Sequence, residues 1–384
     1  MVVKMKYGKG HDILQVRIWL LGYVSFIALI LSLSCQKDIT APELLYSYEP
    51  PQQQNDGCSV STLQDKGMDT EIIEEVTSQI MDGTFQGIHS FMIVKSGAIV
   101  HEAYFEDYTK NSLQTVFSIT KSVSSALIGI AIDRGLIRGV EDLVLSFFPQ
   151  YNIQDSAKQG IQLRHILTLS SGFSWDEKTY PYSDARNTET QMVSTNDWMK
   201  FVLERPMQRD PGKEWVYNTG SVHLLAGIIK QVYGDHADVF AEQVLFEPLG
   251  IQTYEWNKDP QGHPCTGGTL QGLKLNLRDT AKFGYLFLNR GKWNDVQVVP
   301  QSWVEKSTAR HIEPESGREF GYLWWKGQYV INGREYQHYY AAGYGGQTIH
   351  IAPELDLMIV FTCWDDARDA DIYLPILMVY SSVL

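Results

Sequence analysis

The chain has 384 residues, of which 44% are hydrophobic and 20% are charged, a composition typical of globular proteins. Its formal net charge at pH 7 is −13, and the acidic residues are spread along the chain, which argues against nucleic acid or an anionic membrane surface as a partner. The length is sufficient for one large domain or for two lobes.

The N-terminal segment has the pattern of an export signal. Basic residues between Lys4 and Arg17 precede an apolar run over residues 18–33, and small residues and Cys35 follow. This pattern resembles a bacterial lipoprotein signal, which implies that Cys35 is lipidated and becomes the first residue of the mature chain. The alternative is an uncleaved transmembrane anchor, because the run is nearly long enough to span a bilayer. We favour a signal peptide over residues 1–34, and both alternatives place the remaining chain outside the cytoplasm, at a bacterial cell envelope.

A Pro-, Gln- and Ser-rich stretch over residues 35–66 predicts a flexible tether. An apolar stripe from Ile72 to Ile80 then predicts a helix that ends at Gly83. Two apolar runs, residues 91–94 and 98–105, flank a Lys-Ser-Gly turn and predict a β-hairpin.

Helical and loop patterns dominate residues 141–299, whereas strand patterns return near the C-terminus, at residues 320–325, 339–343, 348–352 and 357–362. A closing helix is predicted from residue 371 onward. We therefore predict an α+β (mixed α/β) fold with an antiparallel sheet built from both ends of the mature chain and flanked by helices. The main domain would cover residues 67–384, with a sheet lobe (67–140 and 300–384) and an inserted helical lobe (141–299).

A serine and a lysine stand three residues apart at the start of one predicted helix. The helix begins at or just after Ser118, and apolar residues recur at helical spacing from Val123 to Ala131. Ser118 and Lys121 would then share one face of the helix. Burial disfavours the charged form of a lysine, so Lys121 could accept the hydroxyl proton of Ser118. The alternative is an ordinary helix cap followed by a solvated lysine.

Five segments in order resemble the serine β-lactamase and penicillin-binding-protein family, in its class C-like branch of esterases, D-peptidases and small amide hydrolases such as the 6-aminohexanoate-dimer hydrolases. The first segment carries the S-x-x-K pattern known for these proteins. The segments are residues 117–122, 164–172, 211–220, 279–284 and 343–347. The resemblance implies a β-lactamase/transpeptidase-like fold and an acyl-enzyme formed on Ser118.

The second family motif, a tyrosine followed two places later by an asparagine, is represented by Tyr217. The resemblance implies that this phenol carries a proton between the serine and the leaving group. Thr219 stands where the family has asparagine, and Asn218 is adjacent to the tyrosine. This departure argues against efficient β-lactam hydrolysis. The alternative is that Tyr217 merely ends a loop and Asn218 is a turn residue.

The third family motif corresponds to Gly343-Tyr344-Gly345. The resemblance implies that Gly345 and Gly346 approach the substrate, with the N–H groups of Ser118 and Gly346 as oxyanion donors and with Asn218, Thr219 and Tyr344 as further substrate contacts. The cation that would bind a substrate carboxylate is absent from this motif, which favours neutral esters or amides. Without the other motifs, the glycine cluster could equally be an edge-strand bulge.

Other chemistries have little support in the sequence. No G-x-S-x-G elbow accompanies the histidines, so His165 and His223 are interpreted as core residues. Neither C-x-x-C nor H-E-x-x-H is present, and the predicted scheme needs no cofactor or metal. Cys58, Cys265 and Cys363 allow one disulfide that the sequence does not specify. Trp175 and Tyr182 are weaker candidates for the edge of the cleft.

We therefore predict a lipid-anchored serine hydrolase that acts on a small ester, amide or peptide, contacts no nucleic acid, and meets the membrane only through its anchor. Two alternatives stay open at this point. One is a D-alanyl peptidase or β-lactamase that acts on peptidoglycan-like substrates or β-lactams. The other is a catalytically silent binding protein of the same family.

Overall fold

The computed structural model describes residues 2–5, 15–17, 44–314, 317–364, 370 and 372–384, the first two segments by their backbone alone. The strands in these residues are numbered in chain order: β1 (Val2–Met5), β2 (Gln15–Arg17), β3 (Ser59–Val60), β4 (Ile88–Lys95), β5 (Ala98–Tyr104), β6 (Gln114–Thr115), β7 (Glu255–Trp256), β8 (Leu273–Leu275), β9 (Lys292–Trp293), β10 (Val296–Gln297), β11 (Glu319–Phe320), β12 (Trp325–Ile331), β13 (Arg334–Gly343), β14 (Gln347–Ala352) and β15 (Leu357–Cys363).

The α-helices are numbered in the same way: α1 (Thr70–Met81), α2 (Ile119–Asp133), α3 (Leu163–Leu167), α4 (Thr188–Val193), α5 (Trp198–Glu204), α6 (Thr219–Tyr233), α7 (Ala237–Ala241), α8 (Glu247–Leu249), α9 (Leu277–Leu288), α10 (Gln301–Ser307) and α11 (Tyr373–Val383). A π-helical turn, Glu242–Phe246, joins α7 to α8. Within the described part of the chain, no helix has the length and apolar character to cross a membrane.

One large sheet forms the centre of the molecule, with the strand order β2-β1-β12-β13-β14-β15-β4-β5-β3. Neighbouring strands are antiparallel, except that β3 runs parallel to β5. The central contact is between β15 and β4, so a strand near the C-terminus lies directly beside the first long strand of the domain. The predicted α+β fold, with a sheet built from both ends and helices inserted between them, is confirmed.

At the strands β4, β14 and β15 both faces of this sheet are buried, and successive side chains of a strand point to opposite faces. On β4, Met92 and Val94 point into the core that contains α2 and α9. The intervening Phe91 and Ile93 point into a second core with α1 and α11. The β4–β5 hairpin turns at Ser96 and Gly97, both with positive φ, as the Lys-Ser-Gly pattern predicted.

The chain between β11 and β13 differs from the sequence prediction. A single strand was expected over residues 320–325, but β11 ends at Phe320 and the backbone turns at Leu323, which has φ +62°. The next strand, β12, starts at Trp325 and continues to Ile331. Several side chains of β12 are only partly buried. Its sequence is therefore half polar and does not show the apolar pattern that would have predicted a strand beyond residue 325.

Part of the predicted tether contacts the domain. β3 pairs with β5, and the Tyr48 hydroxyl donates to the carbonyl of Val100 at 2.9 Å. Arg278 donates to Asp56 at 2.8 Å and to the carbonyl of Gln52 at 3.0 Å. The predicted boundaries of the signal, tether and domain stay predictions, and Cys35 lies outside the described residues. In the described chain, no disulfide joins Cys58, Cys265 and Cys363.

Candidate active site

Ser118 lies at the N-terminus of α2, where the central helix emerges from the core. Residues 119–131 of this helix are all buried. Apart from Lys121 they are apolar or small, and the helix packs against β13, β14, α6 and α10. Phe117 immediately before the serine has φ +45°, a left-handed conformation that is strained for a bulky residue. The turn therefore holds the half-buried Ser118 side chain at the accessible end of an otherwise buried helix.

A glycine loop packs directly against this turn. A Cβ on Gly268 would lie 2.7 Å from the carbonyl oxygen of Phe117, and Gly268 itself has φ +84°. The contact therefore requires glycine both for space and for backbone conformation. The neighbouring carbonyl of Gly267 accepts a hydrogen bond from Lys121.

Ser118, Lys121 and Tyr217 meet as the sequence predicted. Lys121 Nζ lies 2.9 Å from Ser118 Oγ, and the Tyr217 hydroxyl donates to the same oxygen at 2.7 Å. Lys121 is 4% exposed, so its amine is removed from bulk water. A nucleophile with two proton-transfer groups in hydrogen-bond contact is the geometry required for acyl transfer.

Two lysine amines flank the ring of Tyr217. Its ring centroid is 4.8 Å from Lys121 Nζ and 4.2 Å from Lys178 Nζ. Lys178 is exposed, and within the described residues no carboxylate forms an ion pair with it. An exposed lysine amine therefore lies beside Tyr217, although the sequence showed no cation in the third motif.

Asn218 and Thr219 lie behind the reacting groups. The Asn218 side chain accepts from the backbone N–H of Ser221 at 2.8 Å and caps α6. The Thr219 hydroxyl lies 3.0 Å from Lys121 Nζ. Both side chains are almost fully buried, so the structure gives them supporting contacts, and a direct contact with the substrate stays a prediction.

Two buried carboxyl groups near Lys121 were missed by the sequence analysis. Glu177, which is 2% exposed, accepts from the Thr219 N–H at 2.8 Å and from the Thr219 hydroxyl at 2.7 Å. Glu189 lies near Glu177 and Lys121. Burial and the charge of Glu177 raise the pKa of Glu189 to about 7, and the charge of Lys121 opposes this rise. Glu177 lies in a loop and Glu189 lies in the first turn of α4. A glutamate at such positions usually faces solvent, so the sequence held no signal for either residue.

The third motif forms the turn between β13 and β14. A Cβ on Gly343 would lie 2.5 Å from the carbonyl of Val116, so the strand end abuts the turn that carries Ser118. Gly345 and Gly346 are buried and have φ +79° and +94°. This brings the motif beside the nucleophile as predicted, and the oxyanion role of the Gly346 N–H stays a prediction.

An aromatic rim, formed by Phe117, Tyr182, Tyr344 and Trp364, lies beside Ser118. The Tyr344 ring centroid lies 5.7 Å from Phe117, 6.2 Å from Tyr182 and 6.3 Å from Trp364. Tyr344 and Tyr182 are about half exposed, so the rim offers apolar surface to an entering substrate. Trp175, the other predicted edge residue, is instead buried and donates its indole N–H to Glu177.

The two histidines that were set aside have structural contacts. His165 Nδ1 accepts from the backbone N–H of Gln162 at the start of α3, and burial lowers its pKa to about 4. His223 Nε2 lies 2.9 Å from Asp259 Oδ2, and both side chains are fully buried. Neither histidine is a hydrogen-bond partner of Ser118 or Lys121 in the described chain.

The fold and this arrangement of serine, lysine and tyrosine together define a serine hydrolase in which a lysine, rather than a histidine, adjoins the nucleophile. The family model for β-lactamase matches residues 73–374. The chain therefore belongs to the β-lactamase family, and the resemblance of its motifs is confirmed.

Proteins that are similar to this chain are named for different activities. The 6-aminohexanoate-dimer hydrolase of Paenarthrobacter ureafaciens is 22% identical over 305 residues, which cover 72% of this chain and 73% of that protein. Among solved structures, the octameric penicillin-binding protein homologue from Pyrococcus abyssi matches with a TM-score of 0.61 and 20% identity, over 81% of this chain and 76% of that one. EstCE1, a hydrolase with promiscuous acyltransferase activity, matches with a TM-score of 0.65 and 14% identity, over 82% and 97% of the two chains. At these identities the solved structures establish the shared fold alone.

Proposed function

We propose that this serine hydrolase cleaves neutral esters or short amides through an acyl-enzyme on Ser118. The contacts of Ser118 Oγ with Lys121 Nζ and the Tyr217 hydroxyl carry the proposal. A relative of comparable length is named as the hydrolase of an amide dimer, which supports the choice of substrate class.

The reaction proceeds in two acyl transfers. Lys121 accepts the hydroxyl proton as Ser118 Oγ bonds to the carbonyl carbon, and the carbonyl oxygen becomes an oxyanion facing the N–H groups of Ser118 and Gly346. The bond to the leaving group then breaks, and the leaving group takes a proton through Tyr217. Water attacks the acyl-enzyme in the same way and gives its proton back through these groups, which frees the acid and restores the serine.

The rim supports a preference for apolar acyl or leaving groups. Phe117, Tyr344 and Trp364 cluster beside Ser118, and the Gly343–Gly346 turn adds no cation. A site of this composition binds by burial of apolar surface rather than by charge.

Hydrolysis of p-nitrophenyl acetate and butyrate tests the proposal. The wild-type chain should hydrolyse both esters, and Ser118→Ala should reduce the rate to the uncatalysed level because the acyl-enzyme cannot form. A fluorophosphonate should label the wild-type chain on Ser118 and leave the mutant unlabelled. Equal ester hydrolysis by the two proteins, or an unlabelled wild-type chain, would show that the protein is instead a silent binding member of the family.

Lys178 supports a second candidate function, the hydrolysis of substrates that carry a carboxylate. Its exposed ammonium at the Tyr217 ring could replace the cation that the third motif lacks. This candidate predicts faster hydrolysis of p-nitrophenyl hydrogen glutarate than of the neutral butyrate ester, together with turnover of D-alanyl peptides. A preference for the neutral ester would exclude it.

We also propose that the enzyme is a lipoprotein of the cell envelope. The supporting observation is the basic, apolar and cysteine-terminated pattern over residues 1–35. Mass spectrometry of the envelope fraction should find a lipidated peptide that begins at Cys35, and a full-length N-terminus would favour the transmembrane anchor.

A further inference from the structure

The Lys121 amine has three partners in the described chain, and they differ in what they can donate. Ser118 Oγ lies at 2.9 Å, Thr219 Oγ1 at 3.0 Å, and the Gly267 carbonyl completes the set. A protonated lysine donates to all three. A neutral lysine has two N–H bonds and one electron pair, so one partner must then become a donor.

The Gly267 carbonyl can only accept. Thr219 and Ser118 each have one hydroxyl hydrogen, so either could donate to the neutral amine. Which hydroxyl donates decides the chemistry, because Ser118 can transfer its proton to Lys121 only when the Ser118 hydroxyl donates to the lysine nitrogen. If Thr219 donated instead, the electron pair would point away from the nucleophile.

Glu177 removes this ambiguity. Its Oε1 lies 2.7 Å from Thr219 Oγ1, and a carboxylate oxygen only accepts. The Thr219 hydrogen is therefore directed to Glu177, and Thr219 can offer Lys121 only a lone pair. With Gly267 and Thr219 both accepting, the electron pair of the neutral amine faces Ser118.

We propose that Glu177 is a positioning residue that fixes the direction of the Thr219 hydroxyl and thereby aims the free electron pair of Lys121 at Ser118. The inference rests on the proposed function, since it presumes that Lys121 acts as the base. It also gives a physical role to the threonine that replaces the asparagine of the second motif.

The surroundings of Glu177 make a sharp substitution available. Its Oε2 accepts from the N–H of Thr219 and the indole N–H of Trp175, two groups that can only donate. Its Oε1 faces two hydroxyls, of Thr219 and of Tyr182 at 3.4 Å. In Glu177→Gln the amide NH2 group must avoid the two N–H donors, so it faces the hydroxyls. Thr219 then accepts from the glutamine and turns its hydrogen toward Lys121.

The test is the rate at which a fluorophosphonate modifies Ser118 in the full-length chain. In this reaction the Oγ–P bond forms as fluoride leaves, and the serine proton passes to Lys121. We expect Glu177→Gln to slow labelling by about 100-fold, at the lower end of the range typical of proton-transfer catalysis. We expect kcat for p-nitrophenyl butyrate to fall similarly while KM changes by less than about threefold, because the substrate surface is untouched.

A double-mutant cycle separates orientation from mere support of the loop. In Thr219→Val no hydroxyl remains to be reversed, so adding Glu177→Gln should cost less than about threefold. Thr219→Ser keeps the hydroxyl and should label within about fivefold of the wild-type rate. Glu102→Gln is the matched control, since it makes the same change at a largely buried glutamate side chain that contacts Arg278 rather than Thr219, and the folded enzyme should label within about threefold of the wild-type rate.

Each outcome decides the matter. An equal loss from Glu177→Gln in the wild-type and Thr219→Val backgrounds would overturn the inference, as would a wild-type rate for Glu177→Gln. If Glu177→Gln does not fold, equal rates for Thr219→Val and Thr219→Ser would overturn it instead. A wild-type chain that is not labelled at Ser118 would overturn the proposed function, and this inference with it.

Discussion

Replacement of Lys121 by methionine is expected to lower kcat/KM for p-nitrophenyl butyrate by about 10³-fold or more. Methionine fills much of the same space but has no electron pair that can take the Ser118 proton. The hydroxyl would keep its contact with Tyr217, yet a phenol that is already donating to the serine cannot also accept its proton. The nucleophile would therefore remain protonated.

The control for this experiment is a second buried lysine. Lys158 is also 4% exposed, and its ammonium donates to the carbonyl of Leu203 at 2.8 Å. Lys158→Met makes the same chemical change away from Ser118. We expect it to lower stability and to leave kcat/KM of the folded enzyme within about twofold. A Lys121→Met enzyme that retains a tenth of the wild-type activity would show that Lys121 is not the base.

Replacement of Arg278 by methionine is expected to lower the free energy of unfolding by about 3–5 kcal/mol. The guanidinium of Arg278 is nearly fully buried and donates to Glu102 at 2.9 and 3.1 Å and to Asp56 at 2.8 Å. It also donates to the carbonyl of Gln52. Without it, two carboxylates remain in a poorly solvated site and lose the cation that binds both of them, and the segment around Asp56 loses its attachment to α9.

Urea unfolding of an exposed pair provides the comparison. Arg310 and Glu313 lie 2.6 Å apart, but both side chains are about half exposed. Arg310→Met should therefore change the free energy of unfolding by less than about 1 kcal/mol. Similar losses for the two mutants would mean that the Arg278 cluster is stabilised no more than an ordinary surface ion pair.

Lowering the pH should weaken the ion pairs of the Arg278 cluster. Burial raises the pKa of Asp56, but the hydrogen bonds from Arg278 and from the Cys58 N–H outweigh it, so the pKa lies below the ordinary value of 3.8. A carboxyl group whose pKa is lowered on folding stabilises the folded state at pH values above its ordinary pKa. That stabilisation is lost as the pH falls through the lowered pKa. The wild-type chain should lose this contribution below about pH 4, and Arg278→Met should lack it.

Local patterns predicted much of the architecture and part of the site. Helical spacing placed Ser118 and Lys121 on one face of α2, and the turn residues after β4 predicted the hairpin. These features depend on neighbours within a few residues, which a sequence displays directly.

The remaining site features depend on distant residues or on backbone atoms. Glu177 acts on Lys121 only because the loop after α3 folds onto the start of α6. Gly267 contributes its carbonyl oxygen, a group that every residue possesses, so no residue type marks it. The cation near the cleft, Lys178, comes from the same loop rather than from the strand on which the family pattern places it.

The contacts around Ser118 span large distances along the chain. Tyr217 follows Ser118 by 99 residues, and Gly267 follows Lys121 by 146. Closing loops of this length comes late in folding, since local helices form first. A chain still emerging from the ribosome would hold Ser118 on a nascent helix with neither the phenol nor the glycine carbonyl beside it. We therefore expect the nucleophile to become reactive only when the segments that carry Tyr217 and Gly267 have packed against α2. The yield of fluorophosphonate labelling during refolding would then count the molecules that have completed their fold.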